Sequence, residues 1–176
     1  MYNLLELIAI PLRHLRWLLA MSLALLGCAS SLWPNLTDAH EYRAAGLKIE
    51  HPWSRATAPG VSVGVGYLVL VNEGAKADVL IGASSPLAAQ VEIHVTRVEG
   101  GMMRMRRVER VSLPPGATVR FAPGGTHLML TGLKRPLAVG ETVPLLLRFA
   151  DAGEQRVELK VESPTFEPGS GGHAHH

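Results

Sequence analysis

An all-β fold, a sandwich or a barrel in one domain, is what this 176-residue sequence predicts. Short runs of apolar and β-branched residues recur along the chain, several alternating with period two. Gly 18 and Pro 12 punctuate those runs with turns. No stretch keeps a helical period beyond two turns. Taken in order, residues 47–50 alternate and stop before Pro52, because proline cannot donate to a ladder. Residues 66–71 (GYLVLV) are rich in β-formers and end at Asn72-Glu73-Gly74. Residues 79–82 follow, then a single turn at 86–90 and the alternating run 90–98 (QVEIHVTRV). Segments 118–121, 127–130, 143–149 and 156–161 complete eight or nine expected strands.

The two ends read differently. Arg13 and Arg16 precede an apolar run at 17–27 (WLLAMSLALLG), the pattern of an export signal. That run is about half of the ~20 residues a spanning helix needs. Residues 1–39 are therefore assigned to a leader, and cleavage after Thr37-Asp38-Ala39 gives a mature start at His40 in the periplasm. Leu25-Leu26-Gly27-Cys28 resembles a lipoprotein box and is the alternative route, with a lipid anchor on Cys28. The folded domain is assigned to 40–163. From Pro164 the chain is rich in Pro, Gly and Ser and ends in His173, His175 and His176, so residues 164–176 read as a flexible tail.

Composition removes several function classes. The formal charge is only +2, and Arg104, Arg106, Arg107 and Arg110 alternate with other residue types, so a nucleic-acid partner has no support. Cys28 is the only cysteine, and it lies in the leader. The mature domain then has no disulfide, thiolate metal site or cysteine nucleophile. Gly60-Val61-Ser62-Val63-Gly64 matches the hydrolase elbow pattern, but an elbow leads into a helix and this one leads into a strand. The chain is read as a binding protein, not an enzyme.

Methionine placement carries the chemistry. Outside the leader the methionines are Met102, Met103, Met105 and Met129, and His94 and His127 flank the same stretch. Gap-filling methionines would scatter through the strands. On a strand, residues two apart share a face, so His127 and Met129 form a pincer. Gly100-Gly101 is a two-residue hairpin signal. With those glycines as the loop, Glu99 faces Met102 and Thr96 faces Met105, which puts His94 diagonal to Met105 on one face. A three-residue loop would put them on opposite faces. Two imidazoles and two thioethers form a soft, neutral donor set that suits Cu(I), whereas zinc favours thiolate or more imidazole and calcium takes oxygen. Met103 is a candidate auxiliary thioether, with core packing or a hairpin tip as its ordinary roles. The three tail histidines are candidate Cu(II) ligands. Asp78 and Glu92 could orient a ligand imidazole, but turn-capping or solvated carboxylates are the commoner fate.

The spacing His94-x10-Met105-x21-His127-x-Met129 resembles the signature H-x10-M-x21-H-x-M of the periplasmic copper chaperone family called PCu(A)C. Further likeness lies in His51-Pro52-Trp53-Ser54-Arg55-Ala56-Thr57, Glu92-Ile93-His94, Gly101-Met102-Met103-Arg104-Met105 and residues 123–130 (PGGTHLML). The resemblance implies a cupredoxin-like barrel that carries Cu(I) to the dinuclear copper centre of cytochrome c oxidase subunit II, alongside a thioredoxin-fold assembly protein. It also implies membrane contact only through such partners or through a lipid anchor. An electron-transfer cupredoxin would need a cysteine ligand; a metal-free adhesion or assembly module is the rival from another class, and copper titration under reducing conditions separates the readings.

Overall fold

Eleven strands and no helix make up the computed structural model, which describes residues 41–168. The leader with Cys28, the residue His40 and the histidines His173, His175 and His176 lie outside the described residues. In chain order the strands are β1 (Glu41–Ala44), β2 (Leu47–Arg55), β3 (Val63–Asn72), β4 (Asp78–Ser84), β5 (Gln90–Glu99) and β6 (Met102–Val108), followed by β7 (Val111–Leu113), β8 (Thr118–Phe121), β9 (Thr126–Thr131), β10 (Thr142–Phe149) and β11 (Glu154–Glu162).

Seven of them close a ring. Strands β5, β9, β3, β2, β11, β10 and β4 are neighbours in that order, and β4 returns to β5 through the Ala83–Val91 pair. One junction, β11 with β2, is parallel; the others in the ring are antiparallel. Closure removes exposed sheet edges around the ring. At the narrow β4–β5 seam each strand also carries an outer neighbour, β7 on β4 and β6 on β5. Alternation then sorts the side chains. Ile49, Leu68, Leu70, Leu80, Leu128, Leu130, Leu145, Leu147 and Leu159 fill the interior, all nearly inaccessible to water. Ile93 joins them from β5.

The all-β expectation holds, with differences that have local causes. Strand β2 runs through Pro52 instead of stopping before it. His51 takes φ 45°, and the β2–β3 register shifts between Glu50 and Trp53, so the proline sits in a bulge where no ladder donor is needed. Strands β1 and β7 are additions, the first charged and the second three residues long. Val63 opens β3, so the elbow-like Gly60–Gly64 pattern leads into a strand.

The first residues of the segment assigned to the tail are docked on the domain. Phe166 packs edge-on against Trp53 at 5.0 Å between ring centroids, and its carbonyl accepts a hydrogen bond from Arg55 Nη2 at 3.1 Å. Glu167 pairs with the same guanidinium at 2.7 Å. Aromatic contact and charge pairing dock this segment, a sum that a reading by Pro/Gly/Ser content does not register.

Asp78 is a structural cap. It is buried, and its carboxylate accepts from the backbone N–H groups of Val79, Asp151 and Ala152 at 2.6–3.0 Å, tying β4 to the β10–β11 turn. Asp78→Ala strands those donors and is expected to cost about 2–3 kcal/mol in urea unfolding. A loss under about 0.5 kcal/mol would show that water replaces the carboxylate without penalty.

Candidate metal centre

The site is built on three adjacent strands, β6, β5 and β9. Gly100 and Gly101 both have positive φ, 61° and 80°, and form the two-residue turn between β5 and β6. The resulting register pairs Glu99 with Met102 and Thr96 with Met105, as the two-residue loop requires. Across the other side of β5, His94 pairs directly with His127 and Glu92 with Met129. His94, Met105, His127 and Met129 thus share the outer face, while Ile93, Leu128 and Leu130 point into the barrel. The two imidazole centroids are 5.9 Å apart.

Exposure grades across the row. His127 is 5% exposed, His94 and Met129 are partly buried, and Met105 is 51% exposed. Met103 lies two residues from Met105 on the same strand face, 70% exposed and paired with Val98 near the turn. It is a hairpin-tip side chain and not a core one, while Met102 alternates to the other face. Beside the row, Val65 of β3 faces Met129, and Tyr67 on the same face of β3 stacks against Trp53 at 4.5 Å. This aromatic wall, buried on the outside of the sheet, was not singled out from the sequence.

Hydrogen bonding fixes which imidazole nitrogens are free. His127 Nδ1 lies 3.1 Å from the carbonyl oxygen of Gly125. A carbonyl only accepts, so Nδ1 carries the proton and Nε2 keeps a lone pair. His94 Nε2 lies 3.0 Å from Glu92 Oε2, while His94 Nδ1 is buried with no hydrogen-bond partner. A buried ring nitrogen without a hydrogen-bond partner is a donor atom available to a metal. Glu92 is the partner the sequence undervalued: it lies two residues from His94, so strand alternation alone puts both on one face. Its carboxylate also meets Arg107 Nη1 at 2.8 Å and Gln90 Nε2 at 2.9 Å. The hydrogen bond from His94 holds the Glu92 carboxyl below the usual carboxylate range; desolvation opposes this, and the nearby Arg107 charge adds to it.

Among the described residues, no three His, Cys, Asp or Glu side chains group so as to hold a metal ion. The two imidazoles and two thioethers that share this face are a donor set that fits a soft ion.

Known proteins bear on this geometry. A family model described as "Putative lipoprotein LpqE-like" matches residues 47–161, and a solved copper-bound PCuAC domain from PmoF2 superposes with TM-score 0.62 at 34% identity, covering 71% of this chain and 99% of that one. The chain belongs to this family, PCu(A)C. A second solved match is the solution structure of the Cu(I) form of DR1885 from Deinococcus radiodurans, with TM-score 0.56, 30% identity, and 75% and 87% of the two chains covered. A protein of Leifsonia xyli subsp. xyli that carries a lipoprotein name is 32% identical over 144 residues, 81% of this chain and 85% of its own length. The fold of this PCu(A)C chain is cupredoxin-like, as expected.

The His127 assignment can be checked without metal. Long-range ¹H–¹⁵N spectra of the apo protein at neutral pH should show His127 as the Nδ1–H tautomer. An Nε2–H tautomer would contradict the Gly125 hydrogen bond.

Proposed function

We propose that this protein is an exported copper carrier that binds Cu(I) through His94, Met105, His127 and Met129 and has no catalytic turnover. One observation carries the reading: two imidazoles and two thioethers, far apart in sequence, share one face of β6, β5 and β9. The copper-bound and Cu(I) relatives support it, as does the lack of any cysteine after Cys28. Neutral, polarisable donors favour the reduced ion and leave it exchangeable, which suits delivery better than permanent retention. The half-exposed Met105 gives an acceptor an entry for ligand exchange. Delivery to the dinuclear copper centre of cytochrome c oxidase subunit II, in the periplasm and beside a thioredoxin-fold assembly protein, completes the reading; Met103 is an auxiliary thioether at the mouth.

The tail belongs to the same proposal. Phe166 packs on Trp53, which pairs with Tyr67 on the face that bears the ligand row. Strands lie ~4.8 Å apart, so β2 and β5, three steps apart, are separated by roughly 14 Å. The five residues 169–173 can span up to about 17 Å. On this reading His173, His175 and His176 capture Cu(II) near the core site.

Met105→Leu and Met129→Leu keep volume and apolarity, so each should cost less than ~1.5 kcal/mol of stability. Competition with a Cu(I) chelator should nevertheless show at least a tenfold loss of affinity. Unchanged affinity in both variants removes the thioethers from the site. Deleting residues 170–176 should abolish a weak Cu(II) site and leave Cu(I) binding intact. Full Cu(II) stoichiometry after truncation would end the tail's role.

A further inference from the structure

Glu92 is the one carboxylate in the ligand row, and nothing in the copper signature calls for it. It is held from three sides. Gln90 Nε2 donates to Oε1 at 2.9 Å, Arg107 Nη1 meets the same oxygen at 2.8 Å, and His94 Nε2 meets Oε2 at 3.0 Å. Its side chain is only 18% exposed. All four residues stem from the outer face: Gln90, Glu92 and His94 alternate along β5, and Arg107 pairs with His94 from β6. An ionised carboxylate has no proton to give, so His94 Nε2–H must donate to it. That leaves the lone pair on Nδ1, the nitrogen that is buried and unpartnered.

We infer that Glu92, braced by Arg107 and Gln90, is a positioning residue that locks His94 in the Nε2–H tautomer with Nδ1 ready for the metal. The inference deepens the copper reading above and rests on it for its metal half. The two histidines then use opposite nitrogens, His127 through Nε2 and His94 through Nδ1. Each is set by an acceptor that the fold supplies: a backbone carbonyl for one, a side-chain carboxylate for the other. A neutral histidine side chain free in water leans modestly toward the Nε2–H form but is not held in it, and its ring rotates. A carboxylate behind a ligating histidine fixes its ring and raises its basicity, and losing such a partner typically costs 10–100-fold in metal affinity.

The test uses the full chain with Glu92→Ala and Glu92→Gln. Glutamine retains a carbonyl oxygen that accepts from His94 Nε2–H but loses the charge and the Arg107 pairing. Long-range ¹H–¹⁵N spectra of the apo proteins read the His94 tautomer directly and need no copper. Chelator competition reads Cu(I) affinity. Glu92→Ala should release His94 into a mixture of tautomers and weaken Cu(I) binding about tenfold or more, whereas Glu92→Gln should keep the Nε2–H tautomer and recover most of the affinity. A His94 that stays Nε2–H in Glu92→Ala overturns the inference. So does a Glu92→Gln protein with the wild-type tautomer but the affinity of the alanine variant, which would make the charge, and not the orientation, the contribution. If the wild-type chain binds no Cu(I), the carrier reading fails, while the tautomer result still decides whether Glu92 positions His94.

Discussion

The direct pairing of His94 with His127 across β5 and β9 is the constraint on which the rest of the site depends. Side chains alternate along a strand, so one register decides both faces together. With His94 opposite His127, Glu92 falls opposite Met129 on the outside, while Ile93 and Leu128 meet on the inside. A slip by one residue would carry Leu128 and Leu130 into water and bury the imidazoles among aliphatic side chains. Each leucine buried at this wall contributes about 1.5–3 kcal/mol relative to exposure. The apolar interior therefore enforces the polar exterior, and the metal-binding row is held in place by residues that never touch it.

How far this was legible in the sequence follows from what was local. The pincer of His127 and Met129 needs only strand periodicity, and the place of Met105 needs only a two-residue turn at Gly100-Gly101. Both are fixed within a few residues, and both match the register found. The pairing of His94 with His127 is long-range, so only the resemblance to a family pattern brought those two together in advance. Strand β1 was missed because Glu41, Tyr42 and Arg43 carry no apolar alternation and depend on pairing with β2. The continuation of β2 past Pro52 was missed because the bulge at His51 depends on β3 as partner. The docking of Phe166 on Trp53 joins residues over a hundred positions apart, which no local composition reports.

Charges divide between the two faces of the β5–β6 ribbon. Next to the imidazoles the one acid, Glu92, is neutralised by Arg107. On the opposite face of the ribbon, Glu99 draws in Arg104 at 3.8 Å and Arg106 at 2.8 Å. These pairs are largely exposed, and such pairs contribute at most ~1 kcal/mol to stability. On the donor face Arg107 is the one arginine of the ribbon, and its pairing with Glu92 leaves the donor set close to neutral. A nearly neutral face offers a cation little long-range attraction, so in the copper reading retention rests on the ligand bonds themselves.

The turn at Gly100-Gly101 also imposes arithmetic on any relative of this chain. His94 and Met105 share a face because an even number of residues closes the hairpin. Adding one residue to the turn would send Met105 to the opposite side and Arg104 or Arg106 into its place, and would turn Val108, which packs against the core beside Ile93, outward. Two added residues would restore the face, at the expense of a longer ribbon. The ten-residue interval between those side chains is thus a rule of parity, and natural variation in hairpin length should proceed in steps of two.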